Sequence, residues 1–106
     1  MVHPGQVGEG VTVEQAAHCA RIAAINAIAI AKEALGSLDR IKRIARLAGY
    51  VAAGPGFTDH PKVVNGASDF LGEVFGERGR HARVALGAPS LPANACVELE
   101  IILEAE

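Results

Sequence analysis

The sequence predicts an α+β domain, a small sheet with two helices packed on one of its faces, and three patterns carry that prediction. The first is a long alanine-rich stretch behind a helix-start signature. The second is an apolar stripe at helical spacing between Asp59 and Phe75, and the third is a pair of alternating segments near the C-terminus. At 106 residues, half of them apolar, residues 1–106 fit a single domain, without internal repeats, low-complexity tracts or a long linker.

Thr12 and Gln15 make a capping-box pattern, and Val13 to Leu35 follows with Ile22, Ile25, Ile28 and Ala29 at helical spacing. Gly36 is the natural stop, because glycine enters the left-handed region without a steric penalty. Residues 38–53 are ambiguous: Leu38, Ile41, Ala45 and Ala48 fit a helix, Tyr50 and Val51 favour a strand, and spacing alone leans to helix. Gly54-Pro55-Gly56 is turn chemistry and lacks a P-loop pattern. Asp59, with Pro61 in the first turn, opens a second helix that runs to about Phe75 and buries Val64, Ala67, Leu71 and Val74.

Ala82 to Ala88 reads as a strand whose alternate residues point to opposite faces, so Arg83 shares a face with Ala85 and Gly87, opposite Val84 and Leu86. Arg83 is therefore a cation in a recess of small side chains. After the break at 88–92, Cys96 to Glu104 alternates again, with Val97, Leu99, Ile101 and Leu103 against Glu98, Glu100 and Glu104. The two runs read as an antiparallel pair connected near Ser90 and Leu91. In that pairing Arg83 and Glu98 lie side by side, either as a cross-strand ion pair or as a fork for a ligand carboxylate beside a proton acceptor.

Composition excludes several classes. A net charge of −2 and a pI near 6.1 argue against a general nucleic-acid binder. Arg40, Lys42, Arg43 and Arg46 form a basic run that can meet RNA phosphates, yet no aromatic residues interleave with it, and a solvated face is the simpler reading. His3, His18, His60 and His81 have no ligand-like spacing with each other or with Cys19 and Cys96, so no metal site is expected. The cysteines read as buried thiols in separate elements, without a disulfide. The start MVHPGQVGEG lacks a secretory pattern and the first helix carries Arg21, Asn26, Lys32 and Glu33, so the expectation is a soluble, cytoplasmic protein without membrane contact.

Pro61 to Asp69 (PKVVNGASD), Glu73 to Glu77 (EVFGE), Gly79 to Arg83 (GRHAR) and Leu91-Pro92, preceded by GQVGEGVTVEQAA, together resemble the RidA/YjgF family, also called L-PSP endoribonuclease-like, over nearly the whole chain. The resemblance implies a chorismate-mutase-like fold in the order α-β-α-β-β, with a strand over about Lys42 to Ala52. It also implies that the family's first strands are missing from these residues, which leaves Cys96 to Glu104 with an unpaired edge. It further implies a homotrimer with a ligand cleft between neighbours. An uncovered sheet face, expected to carry Ile102 and the Ala85 and Gly87 positions, agrees with such association.

In function, the resemblance implies hydrolysis of reactive enamine and imine intermediates to 2-oxo acids and ammonia, without metal or organic cofactor. Arg83 would hold the substrate carboxylate, Glu98 would position or activate water, and Asn65, Ala85 and Gly87 would line the site. Two departures stand out: a pocket tyrosine belongs to the missing part, and the usual cysteine two residues after the arginine is Ala85. A non-catalytic oligomeric module that binds small carboxylates is the alternative. An endoribonuclease or translation inhibitor is a further one.

Overall fold

The computed structural model describes residues 3–106 and follows the order α1 (Val13–Leu35), β1 (Ile41–Ala52), α2 (His60–Phe75), β2 (Ala82–Ala88) and β3 (Val97–Ala105). The capping box at the start of α1 is complete: the Gln15 amide donates to Thr12 Oγ1 at 3.1 Å, and the Thr12 amide donates to Gln15 Oε1 at 3.0 Å. Gly36 ends the helix with φ of 88°, and its N–H donates to the Lys32 carbonyl.

Residues 41–52 form a strand, against the lean of the spacing, and two β-bulges explain why they look helical. The register with β3 slips by one residue between Ile41 and Arg43 and again between Ile44 and Arg46. Each slip lets an apolar side chain recur after three residues and still point inward. Ile41, Ile44 and Leu47 are accordingly all fully buried.

The strand order is β2-β1-β3, with β2 parallel and β3 antiparallel to the central β1. This overturns the expected β2–β3 hairpin, since β1 lies between them. Both helices cover one face. A Cβ on Gly49 of β1 would collide with the Val64 side chain of α2, so 47, 49 and 51 face the helices. The helices themselves touch at Gly66, where a Cβ would overlap the Ala17 carbonyl oxygen. That close approach lets alanines form the inner face of α1: Ala16, Ala20, Ala24 and Ile28 are buried, whereas Ile25 is 41% exposed. On α2 the buried residues are Val63, Val64, Ala67, Leu71 and Phe75, and the expected Val74 points outward. Across the bare face lie Tyr50, Leu86, Glu98, Glu100 and Ile102, paired through β1. The outer edge of β3 has no partner strand among the described residues.

Candidate functional site at the outer edge of the sheet

Register decides where each predicted site residue goes. Arg83 pairs with Leu47, Ala85 with Gly49 and Gly87 with Val51, so all three face α2. The expectation that Ala85 and Gly87 occupy the uncovered face is therefore reversed. Glu98 pairs with Tyr50 and lies on the bare face. Within one chain Arg83 and Glu98 sit on opposite faces of the sheet with β1 between them, so the side-by-side pair does not form.

The structure instead joins Arg83 to α2. Its Nη1 donates to Asn65 Oδ1 at 2.6 Å and to Ser68 Oγ at 3.2 Å. Asn65 and Ser68 are three residues apart and so share one helix face. Ser68 Oγ lies 3.0 Å from His81 Nε2, and His81 Nδ1 lies 2.6 Å from the Gly79 carbonyl oxygen. A carbonyl only accepts, so Nδ1 carries a proton, and Nε2 of the neutral ring then accepts the Ser68 hydroxyl hydrogen. A polar chain thus runs from Arg83 through Ser68 and His81 to backbone.

Gly87 serves the same wall differently. A Cβ there would lie 2.6 Å from His60 Nε2, so the absence of a side chain makes room for the His60 ring, which meets Phe57 edge-on at 5.0 Å. Sequence reasoning found Arg83 and Asn65 but missed Ser68, His81 and His60. The available signal was Ser68 at three residues from Asn65, together with His81 inside GRHAR. Neither forms a recognised spacing, because the contacts cross from helix to strand.

Arg83 enters no ion pair among the described residues, and its Nε and Nη2 make no hydrogen bond there. The basic run at the start of β1 and just before it differs. Lys42 and Arg43 meet Glu104 at 3.4 and 3.0 Å, Arg46 meets Glu100 at 3.0 Å, and Arg40 donates to the carbonyls of Leu35 and Glu106. Arg43 and Lys42 hold the Glu104 carboxyl below its ordinary range, chiefly by hydrogen bonding. No cluster of three or more histidine, cysteine or acidic side chains suited to a metal occurs among the described residues. Nor is any helix there long and apolar enough to cross a membrane.

Residues 1–105 match the family described as "YjgF/chorismate_mutase-like, putative endoribonuclease". The chain belongs to the YjgF family. It is 44% identical over 101 residues to protein TCP17 of Trypanosoma cruzi, a match that covers 94% of this chain but only 63% of that protein's length. The crystal structure of Atu1372 from Agrobacterium tumefaciens, described as of unknown function, superposes with a TM-score of 0.96 at 45% identity, covering 98% of this chain and 67% of that one. A second crystal structure, of a "putative endoribonuclease" from Shewanella oneidensis, gives 0.92 at 41% identity, covering 96% and 68%. The YjgF fold inferred from PKVVNGASD and GRHAR is thus established, as an α+β arrangement of two helices on a mixed sheet.

Proposed function

We propose that this YjgF protein hydrolyses enamine and imine intermediates of the 2-aminoacrylate type to 2-oxo acids and ammonia, with Arg83 as the carboxylate anchor. One observation carries this reading: a guanidinium held at one end by Asn65 and Ser68, with no carboxylate paired to it among the described residues. Its remaining edge, Nε and Nη2, is a planar fork suited to an organic acid. Further along the same strand Ala85 packs against the core and the space at Gly87 is taken by the His60 ring, so the fork itself is the feature offered to a ligand.

The chemistry needs little more than positioning and charge. The enamine takes a proton at carbon and gives one up from nitrogen to become an imine, water adds to the C=N carbon, and ammonia leaves as the C–N bond breaks. One enamine and one water give one 2-oxo acid and one ammonia. Glu98, on the far face of its own sheet, can help orient that water only in a cleft shared with a neighbouring protomer, so the proposal includes a homotrimer. Ribonuclease activity is less well supported, because Lys42, Arg43 and Arg46 already face glutamates of their own chain.

The test couples the protein to a serine or threonine dehydratase and follows 2-oxo acid formation. Release should quicken with wild type and return to the uncatalysed rate with Arg83→Ala. If wild type gives no acceleration but binds 2-oxo acids in an Arg83-dependent way, the carboxylate-binding module replaces the enzyme.

A further inference from the structure

Cys19 and Cys96 are far apart in sequence yet close in space. Cys19 lies on α1 and is partly exposed, while Cys96 immediately precedes β3 and is buried. Both line an open cavity of about 340 Å³ between α1 and the start of β3, near enough for Cys19 to perturb the Cys96 thiol. Ile22, Ala23 and Val97 supply its apolar walls and Asn26 a polar one. No other titratable side chain lines it among the described residues.

We infer that Cys19 and Cys96 form a dithiol site that closes to an intramolecular disulfide on reaction with small disulfides of the glutathione class, stapling α1 to β3. The more accessible thiol reacts first. Cys19 thiolate attacks one reagent sulfur, the reagent S–S bond breaks, and one glutathione thiolate leaves. Cys96 then gives its proton to water and attacks Cys19 Sγ, which expels the second glutathione thiolate. Two protein thiols become one disulfide, and one reagent disulfide is reduced to two thiols.

Burial, then the neighbouring Cys19, pushes the Cys96 thiol up from 9.0 to about 11. Closure is therefore the slow step, and its rate rises about tenfold per pH unit across neutral pH as the thiolate fraction grows.

The experiment exposes the folded chain to oxidised glutathione, alkylates remaining thiols and maps peptides by mass spectrometry. Wild type should lose both alkylation sites, yield a peptide linking Cys19 to Cys96 that dithiothreitol releases, and melt at higher temperature than the reduced chain. Cys96→Ser should stop at a glutathione adduct on Cys19, and Cys19→Ser should leave Cys96 unreacted. A wild-type chain that keeps the Cys19 adduct without closing, links only between molecules, or alkylates fully at both positions overturns the inference. The wild-type peptide map decides the matter even if a variant does not fold.

Discussion

The two edges of this sheet solve opposite problems. At the β3 edge, Leu99, Ile101 and Leu103 lie under α1 along an apolar groove of about 350 Å³, and the β1 cations are matched to Glu100 and Glu104. At the β2 edge the strand is small and polar contacts replace apolar ones, with Arg83 tied to α2 through Asn65 and Ser68. A cation that already has a carboxylate gains little from a second one, because Coulomb attraction and hydrogen-bond donors are both used. The difference teaches where a ligand acid can be recognised: at the cation whose partners are neutral.

The strongest way to break that comparison is to make the β2 edge resemble the β3 edge. Asn65→Asp places a carboxylate where Arg83 Nη1 now meets an amide oxygen, 2.6 Å away. The fold should hold and Tm should not fall, while the proposed deaminase turnover drops by about a hundredfold, as it does when a comparable anion-binding donor is removed. Arg83→Lys keeps the charge but loses the fork, and should fall nearly as far. Full activity in the Asn65→Asp variant would show that Arg83 is not the anchor.

On the other edge the expected loss is of stability, not turnover. Ile101→Ala removes a side chain packed between β1 and α1 and should cost about 2 kcal/mol, seen as a Tm lower by about 10 °C. At the β2 edge, Gly87→Ala pushes only on the His60 ring, the far end of a side chain that can turn away, so the cost should be about 1 kcal/mol. Urea unfolding measures both. An equal or larger loss at Gly87 would mean that the His60–Phe57 contact is a rigid part of the fold.

These edges also mark what residues could and could not announce. The ends of α1 were legible because a capping box and a terminal glycine act within a few residues, and both formed as read. β1 was not, because its bulges put Ile41, Ile44 and Leu47 at helix-like spacing while the hydrogen bonds that distinguish the two lie on β2 and β3. The family resemblance, not the spacing, placed a strand at about Lys42 to Ala52, as found, and the error lay in the pairing of its neighbours. β2 and β3 are neighbours in sequence, but the strand whose character spacing left open lies between them, and this separates Arg83 from Glu98. Motif resemblance located Arg83 and Asn65, whereas Ser68, His81 and the meeting of Cys19 with Cys96 depend on how α1 and α2 lie over the sheet. Only packing supplies that.

The smallest expected effect is a pH window set by the β3 edge. Glu104 is held below its ordinary value of 4.5 by Arg43 and Lys42, so whatever it adds to stability is present above that value and disappears as acid protonates the folded carboxyl. The pair is open to solvent, so its share is small and screened by salt. Cys96 acts with the other sign. Its folded thiol is raised from 9.0 to about 11, so its contribution is complete below 9.0 and falls away as the pH climbs toward 11, where the unfolded chain ionises first. Melting curves of Glu104→Gln should differ from wild type above pH 4.5 at low salt, and should converge in acid as the folded carboxyl is protonated. Cys96→Ser should flatten the alkaline limb and leave the acid limb unchanged. An acid limb that moves with Cys96→Ser, or an alkaline limb that does not, would place the titrating group elsewhere than on this edge.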